Sequence, residues 1–439
     1  MATPAFPMAA SPMTAHRDPA SKAPTDWASA AMTRRIRRRY GSERRFRALG
    51  FVAVAASVLF LAFLLVNMLV KGLPGFVRTE IRLTVPVSVA ALHLTADQLK
   101  GPGREAALSA ADFSGVTTAA AVTRFGSGGA EFVSDTGWTA LREAVTADPS
   151  IIGRTVTLWV PAAGNLDLVA KGKPPSADEA GFKAAYARLQ HDGLVRTGFN
   201  HGFLTGSDSS DPVSAGIWGA FKGSLLTMAV TLVLSFPVGV LSALYLEEYA
   251  PRNRWTDMIE VSINNLAAVP SIIFGLLGLA VFLGTFDMPR SAPIVGGLTL
   301  ALMTMPVIVI AGRNAIKAVA PSIRDAALGI GASPVQVVFQ HVLPLALPGI
   351  LTGTIIGMAR ALGETAPLLL IGMRAFVGAP PSGLTQPATV LPMQVFLWSN
   401  EVNRSFVEKT SAAIIVLLLF LLAMNGIAIY LRNRFERRW

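Results

Sequence analysis

Six long apolar stretches alternate with polar segments along the chain. They cover residues 51–70, 217–249, 258–283, 292–315, 345–373 and 411–431. Each is long enough to cross a hydrocarbon layer of about 30 Å as a helix. The pattern therefore predicts an all-α polytopic membrane protein with six transmembrane helices. The first helix is expected at 47–70, and the other five form a core at 216–439.

A long polar segment, residues 71–215, separates the first apolar stretch from the other five. It carries charges of both signs and turn sequences such as "GSGG". Within it, "TVTLWV" alternates as a strand does, and "SADEAGFKAAYARLQ" is typical of a capped amphipathic helix. These features predict a soluble α+β domain between helices 1 and 2, outside the membrane, which we call the insertion. Its histidines, His93, His191 and His201, stand apart and form no catalytic pattern.

The N-terminal segment is strongly basic. Residues 1–33 are rich in Ala, Pro, Ser, Thr and Met, and eight arginines follow between Arg34 and Arg47. A composition without apolar periodicity favours disorder, so we expect 1–46 to be a disordered basic tail. Positive charge marks the cytoplasmic side of membrane helices, and the chain also ends in "RNRFERRW". Both termini are therefore expected in the cytoplasm, with an uncleaved first helix, because its apolar run exceeds the core of about 7–15 residues typical of a cleaved signal.

Composition excludes several classes of function. The chain is 52% hydrophobic and 15% charged, which disfavours a soluble enzyme. The absence of cysteine removes disulfides, thiol catalysis and thiolate metal sites. Five histidines without a metal-ligand spacing predict no metal site. A net charge of +11 could indicate nucleic acid, but the positive charge gathers at the chain ends and beside apolar runs, as topology signals do.

One polar segment interrupts the apolar core. The sequence "DAALGIGASPVQVVFQHVLP" is too polar, and too rich in Gly and Pro, to cross a bilayer. We call residues 321–344 the knuckle, and alternation from an internal N-terminus places it in the cytoplasm. Its spacing predicts two short helices. Ser322 and Asp325 would form a capping box for the first, which Gly329 and Gly331 would end.

The second helix of the knuckle is expected to begin at Ser333, with Pro334 in its first position. Pro344 is expected to start or bend the next span. Its apolar residues recur at helical spacing, namely at Val335, Val338, Phe339 and Val342. Such a stripe suits either lipid headgroups or a groove on a partner protein. The break between the two helices, with small residues around it, favours the partner protein.

The knuckle resembles the signature loop of ABC-importer permease subunits. The resemblance is carried by Asp325, Ala326, Ala327, Gly331, Leu343 and Pro344. It implies that the loop docks into a separate ATP-binding subunit. Two positions depart from the family pattern, because Asp325 stands where Glu is usual and His341 stands where an aliphatic residue is usual.

Further segments narrow the resemblance. "SLLTMAVTLVLSFPVGVLSALYLEEYAP", "LAAVPSIIFGLLGLAVF", "ARALGETAPLLL" and "ATVLPMQVFLW" are similar to the A-type permease subunit of the phosphate-specific ABC importer, in the same order along the chain. The resemblance implies a type I importer permease in a bacterial inner membrane. It also implies three partners: an ATP-binding subunit in two copies, a homologous C-type permease and a periplasmic phosphate-binding protein. Sulfate, molybdate or phosphonate remain alternative substrates.

Two charged residues, Arg360 and Glu364, are predicted to lie one helical turn apart in the middle of the fifth span. A charge at the centre of a membrane helix costs about 2.5–3.5 kcal/mol on insertion scales, so its presence needs a reason. Either the two form a structural ion pair, or Arg360 offers donors to phosphate oxygens; the resemblance implies the phosphate route. Thr365, Ser271 and Thr227 are further candidates for this route, although Ser271 could simply follow a helix kink.

Two other classes of function compete with a transport subunit. A membrane sensor would need a cytoplasmic signalling domain, for which the predicted internal segments are too short. A membrane enzyme would need paired carboxylates, or His with Ser or Asp, near one face, and we find no such set. No G-x-x-x-x-G-K-[ST] sequence occurs. We therefore expect no catalytic residues and no cofactor, with ATP hydrolysed by a partner.

Overall fold

The computed structural model describes residues 29–99, 101, 103–176, 178–374 and 376–435. The chain divides into two compact units, Met1–Leu65 and Val66–Trp439, and each is described by itself. Residues 1–28 of the predicted tail lie outside the described residues.

The first helix and the insertion come first in chain order. The strands are β1 Val77–Pro86, β2 Thr155–Pro161 and β3 Val195–Phe199. The helices of this part are α1 Ala30–Gly72, α2 Val89–Leu92, α3 Arg104–Ala110, α4 Phe113–Phe125, α5 Trp138–Ala147, α6 Gly164–Ala170, α7 Glu179–His191 and α8 His201–Thr205. Short 3₁₀ turns lie at Leu73–Phe76, Ala96–Leu99, Gly129–Phe132 and Pro149–Ile151.

The remaining helices form the core. They are α9 Trp218–Leu244, α10 Arg254–Ala267, α11 Ser271–Gly278, α12 Pro293–Lys317, α13 Pro321–Gly329, α14 Pro334–Gln336, α15 Leu343–Gly363, α16 Ala366–Leu370, α17 Leu391–Ser399 and α18 Phe406–Phe435. Three π-helical segments extend α9, extend α11 and join α14 to α15; they are Tyr245–Tyr249, Leu279–Thr285 and Val337–Val342.

The first helix begins earlier than expected. α1 starts at Ala30 and takes in the whole arginine cluster, so the prediction of a disordered tail is wrong for residues 30–46. Arg, Ala and Met are good helix formers, and extending an existing helix costs far less than starting one. The helix formed by the apolar run therefore extends towards the N-terminus through the basic segment.

The insertion is built on a small antiparallel sheet in the order β2-β1-β3. Along β1, Ile81, Leu83 and Val85 are fully buried, while Arg82 and Thr84 between them are exposed. This alternation turns one face of the sheet towards α4 and α5 and leaves the other in solvent. The predicted α+β insertion in an otherwise helical protein is confirmed.

Two core helices, α9 and α12, run in the same direction. Near the start of α12 and midway along α9, the Thr231 hydroxyl donates to the Gly297 carbonyl at 3.2 Å. Further along, a Cβ at Gly239 would lie 2.8 Å from Ile308 Cγ2. Residue numbers thus rise together along both helices, so each starts at the same end of the bundle.

The chain between α9 and α12 must consequently cross back through the bundle. It does so as a bent pair, in which α10 meets α11 and its π-helical extension at 100°. The bend follows Pro270, which lacks an N–H and disfavours helical geometry at Val269. The helix kink expected before Ser271 in the third span, 258–283, is therefore a sharp bend.

The predicted number of crossings agrees with the structure when the bent pair counts as one. Five helical stretches of the described residues are long and apolar enough to cross a membrane: Met32–Phe76, Trp218–Tyr249, Pro293–Lys317, Pro334–Gly363 and Phe406–Arg434. With the bent pair they make six. The all-α polytopic fold expected from the sequence is confirmed.

α15 runs antiparallel to α12, with very close approach of the two backbones. Cβ atoms at Gly349 and Gly357 would lie 2.7 Å from Ala315 Cβ and 2.9 Å from Thr304 Cγ2. Because lipid is as apolar as the side chains, the hydrophobic effect does not bring membrane helices together, and their association depends on such close packing of small residues. The end of the bundle at which α9 starts is called the insertion end. The knuckle, which joins α12 to α15, thus lies at the opposite end.

The insertion is fixed to the start of the last span by a buried charge cluster. Lys171 Nζ lies 2.6 Å from Asp167 Oδ2 and 2.9 Å from Glu408 Oε2, and Lys173 Nζ lies 2.7 Å from Glu408 Oε1. The Asp167, Lys171 and Glu408 side chains are each less than a tenth exposed. Because breaking such a pair leaves a buried charge alone, α6 and the start of α18 are held together.

We expect Gly353→Ala to destabilise the bundle, because a Cβ at this position would overlap Ala311 Cβ across the α12–α15 contact. Overpacking of this kind costs about 1–3 kcal/mol. The matched control is Gly426→Ala in α18, where a Cβ meets nothing within 4 Å and alanine favours the helix. The measurement is thermal unfolding of the purified protein in detergent. Equal midpoints for both variants would show that α12 and α15 do not touch at Gly353.

Candidate functional site

The fifth predicted span is interrupted near its end. α15 ends at Gly363, Glu364 has extended backbone geometry (φ −81°, ψ 123°), and α16 begins at Ala366. Pro367 explains the break, since it has no N–H to donate to the Gly363 carbonyl in a continuous helix. The prediction of one helix across 345–373 is therefore wrong.

Arg360 and Glu364 nevertheless meet across the end of α15. Arg360 Nε lies 3.6 Å from Glu364 Oε1, a distance that makes an ion pair but not a hydrogen bond. The Arg360 side chain is 48% exposed and the Glu364 side chain 22%. Among the described residues, the Arg360 guanidinium makes no hydrogen bond, so its donors face outward from this chain unused.

A second helix break lies beside the first. Ser271 is the first residue of α11, directly after the 100° bend. Four residues on, a Cβ at Gly275 would lie 2.6 Å from Pro367 Cα, so α11 packs tightly on α16. The structure thus brings together the two helices that begin at Ser271 and just after Thr365. Both predicted residues lie where regular backbone hydrogen bonding is interrupted.

Thr227 lies deep between α9, α12, α15 and α16. It lines a cavity of about 10 Å³ with Ser224, Met228, Leu300 and Leu362, among others. This volume holds about one water molecule. The Thr227 hydroxyl has no hydrogen-bond partner among the described residues. Ala361 at the end of α15 and Leu368 in α16 line the same cavity, so the structure places Thr227 beside the break between these two helices. Arg360 does not line the cavity.

The knuckle consists of α13, a turn, and a helix that continues without a break into α15. Gly331 forms the turn at φ +90°, the left-handed region that favours glycine. Ser333 begins the second helix as predicted, since its hydroxyl accepts from the Gln336 N–H while its own N–H donates to Gln336 Oε1. The predicted capping box of Ser322 and Asp325 is wrong, because Pro321 already occupies the first helical turn and Ala320 precedes it.

The predicted signature residues divide between two sides of the knuckle. Asp325, Ala326 and Gly331 are exposed. Ala327 is buried against the bundle, and Leu343 and Pro344 are half-buried. Pro344, expected to start or bend the next span, is the second residue of α15 and lies directly after the π-helical segment.

Large apolar side chains cover the outer side of the knuckle. They are Ile330, 84% exposed, with Val335, Leu328 and Phe339, each about half exposed. The predicted stripe is therefore divided, since Val338 and Val342 are buried. The wider π-helical turn explains the division, because it shifts the register in which successive side chains face the bundle.

The sequence did not predict the ion pair that fixes the knuckle to the core, or the pairs between core helices beside it. Arg324 pairs with Glu248 at the end of α9, at 2.6 Å between Nη2 and Oε1. Arg313 pairs with Glu247 and Glu260 close by. The partners are too far apart in sequence for any helical or strand spacing to pair them. What could have indicated these ion pairs in the sequence is the position of the charged residues, at the ends of apolar stretches and, for Arg324, next to Asp325.

Two known families match parts of the chain. The family described as "Binding-protein-dependent transport system inner membrane component" matches residues 235–439. A domain of unknown function, DUF3333, matches residues 33–179.

Several curated proteins are similar to this chain. The probable ABC transporter permease protein YqgI of Bacillus subtilis is 33% identical over 168 residues, 38% of this chain and 56% of that protein. The phosphate transport system permease protein PstA 1 of Mycobacterium tuberculosis is 34% identical over 36% of this chain and 51% of that protein. The chain thus spans about half the length of these relatives. For PstA 2 of Mycobacterium bovis, identity is 30%, over 52% of this chain and 76% of that protein.

Solved structures with weaker likeness are also ABC transporters. An inward-facing MetNI methionine ABC transporter aligns at 21% identity with a TM-score of 0.38, over 50% of this chain and 98% of that chain. A bacterial importer of the acidic polysaccharide alginate aligns at 16% identity with a TM-score of 0.39, over 50% and 79%. From the sequence relatives and the six-crossing fold, the chain belongs to the PstA family of phosphate transport system permease proteins.

Proposed function

We propose that this chain is one permease subunit of an ABC importer and forms half of a translocation pathway for inorganic phosphate. The observation that carries the proposal is the Arg360 guanidinium, half exposed beside a helix break, with donors that the chain leaves unused. A guanidinium presents planar donors that match phosphate oxygens. The names of the PstA relatives support phosphate as the anion.

The helix breaks support an anion pathway at this position. In membrane transporters, discontinuous helices direct free backbone groups and positive helix N-termini towards anionic substrates. Ser271 begins α11 without a side-chain cap, and Thr365 precedes α16. Glu364, at 3.6 Å, is close enough to hold Arg360 when no anion is bound. An incoming phosphate would compete with Glu364 for the same guanidinium.

The outward position of Arg360 supports a pathway that two subunits share. A charge in a membrane helix normally faces protein or water rather than lipid. Because Arg360 faces away from its own bundle, the second wall would come from a homologous C-type permease. A phosphate-binding protein would deliver the anion at the insertion end.

The knuckle is the proposed docking site through which ATP hydrolysis in a partner subunit is coupled to transport. The knuckle exposes Ile330, Leu328 and Val335 as well as Asp325, a combination that suits a groove on another protein. The sequence contains no phosphate-binding loop of its own. A separate ATP-binding subunit, in two copies for the two permeases, would therefore dock on the knuckle.

The orientation in the bacterial inner membrane follows from the two ends of the bundle. If ATP-binding subunits reach the knuckle, its end faces the cytoplasm and the insertion faces outward. α18 starts at the insertion end, so the C-terminus would be cytoplasmic. The arginine cluster favours a cytoplasmic N-terminus as well.

We expect Arg360→Ala to abolish phosphate uptake while the protein still inserts, because the variant removes the donors offered to the anion and no hydrogen bond within the chain. The matched control is Arg434→Ala, an exposed arginine at the end of α18, which should transport normally. The measurement is uptake of labelled phosphate, with sulfate and molybdate in parallel, in cells that lack other phosphate importers. Normal phosphate uptake by Arg360→Ala would remove this residue from the pathway, and wild-type uptake of another oxyanion alone would reassign the substrate.

Ile330→Asp should prevent co-purification with the ATP-binding subunit, because it places a charge in the apolar contact without disturbing the bundle. Removing a central apolar anchor typically costs an interface about 2 kcal/mol or more. The control is Val402→Asp, an even more exposed apolar residue at the insertion end. The measurement is the amount of ATP-binding subunit retained by a tagged permease. Equal retention by both variants would exclude the knuckle as the docking surface.

A further inference from the structure

One arginine of the knuckle holds three helices together. Arg324 lies on α13, and its Nη2 donates to Glu248 Oε1 at 2.6 Å while its Nε donates to the same carboxylate at 3.2 Å. Glu248 lies in the π-helical end of α9. The same guanidinium donates from Nη1 to the Val319 carbonyl at 2.7 Å and from Nη2 to the Ile316 carbonyl at 3.0 Å. These two carbonyls belong to the last turn of α12 and the residues just after it.

The position of Arg324 differs from that of its neighbour in sequence. Asp325 is exposed on the outer side of the knuckle, where a partner would dock. Arg324 points inward, with its side chain 23% exposed and that of Glu248 12% exposed. Two consecutive residues thus face opposite ways, one towards the expected partner and one towards the helix ends.

Apolar packing alone fixes α13 weakly. Ala327 is the buried residue of this helix, and Ile323 packs at the edge of the same cluster. A methyl group and one partly buried side chain provide little resistance to tilting of a short helix. The bidentate pair with Glu248 and the two carbonyl contacts are therefore the main directional link between α13 and the core.

Other ion pairs at this end of the bundle leave α13 out. Arg313 bridges Glu247 at 3.3 Å and Glu260 at 2.7 Å, and Lys317 lies 3.6 Å from Glu247. These pairs connect α12 with the end of α9 and with α10. Among the described residues, Arg324 is the member of this charged group that lies on the knuckle itself.

We propose that Arg324 is the positioning residue that transmits displacement of α13 to α9 and α12 together. The inference rests on the proposed function, in which an ATP-binding subunit moves the knuckle. When α13 is displaced, the guanidinium pulls Glu248 at the end of α9 and the last carbonyls of α12 in the same direction. Because those two helices run parallel in close contact, they move as one body. Without the contacts of Arg324, α13 would move with the ATP-binding subunit, but α9 and α12 would not follow.

The test compares transport with hydrolysis in the complete transporter. The permease is reconstituted in liposomes with its partner subunits and the phosphate-binding protein, and phosphate transported per ATP hydrolysed is measured. Arg324→Gln should lower this ratio about tenfold, within the usual range for loss of one coupling interaction. Co-purification of the ATP-binding subunit and its rate of hydrolysis should stay near wild type, because Asp325 and the apolar outer side are unchanged.

A matched control separates coupling from general stability. Arg313→Gln removes a comparable guanidinium at the same end of the bundle, but one that makes no ion pair with α13. Its ratio of transport to hydrolysis should match that of the wild type, even if less protein accumulates. Arg324→Lys should give an intermediate ratio, because lysine keeps the charge but lacks the planar fork. Arg324→Glu combined with Glu248→Arg should recover part of the ratio lost in Arg324→Glu alone.

The outcomes distinguish this inference from the proposed function. A wild-type ratio in Arg324→Gln would overturn the inference while leaving the importer intact. A proportional fall of transport and hydrolysis in both Arg324→Gln and Arg313→Gln would show a purely structural role and overturn it as well. A wild-type complex that hydrolyses ATP without moving phosphate would contradict the proposed function and, with it, the inference.

Discussion

Close backbone contact between α9, α12 and α15 is the constraint on which the rest of the structure depends. Gly297 and Gly312 on α12 face Val230 and Ala243 of α9, and Gly353 of α15 faces Ala311. In a membrane, apolar side chains gain little by leaving lipid for another helix, so shape and small residues decide which helices associate. This contact fixes α9 and α12 as parallel neighbours and α15 as their antiparallel partner.

The parallel pair explains two features that otherwise look unrelated. The chain between α9 and α12 has to return across the bundle, and it does so through the 100° bend at Pro270. The chain after α12 has to turn at the opposite end from the insertion, and this turn is the knuckle. Proline then interrupts the helices beside the close contact, at Pro270 and Pro367. Irregular backbone at membrane depth is tolerated where it is buried in protein or lines a cavity, which agrees with a pathway beside the breaks.

Much of this architecture follows from local sequence. Six apolar stretches predict six crossings, Ser333 with Pro334 predicts the start of the second knuckle helix, and "TVTLWV" predicts β2; each of these depends on residues close together in the chain. The 100° bend could not be predicted, because a proline pattern fits a mild kink as well as a sharp one. Similarly, the i, i+4 spacing of Arg360 and Glu364 predicted that both lie on one continuous helix. Because of Pro367, this helix ends at Gly363, before Glu364.

Contacts between distant segments account for the remaining differences. Arg324 and Glu248 are 76 positions apart, and Lys171 is 237 positions from Glu408. No periodicity relates such residues, so the sequence shows only that charges occur near the ends of apolar stretches. The fold decides which charges meet. Here it joins the knuckle to the ends of α9 and α12, and the insertion to the start of α18.

The most direct test of the account is which side of the membrane each end of the bundle faces. The chain contains no cysteine, so single cysteines can be placed without background at two exposed positions, Ser109 in the insertion and Gln340 in the knuckle. Both variants would be treated with a membrane-impermeant maleimide in intact spheroplasts. The account predicts labelling of Ser109→Cys from outside and labelling of Gln340→Cys only after the membrane is permeabilised. Labelling of Gln340→Cys from outside would contradict it.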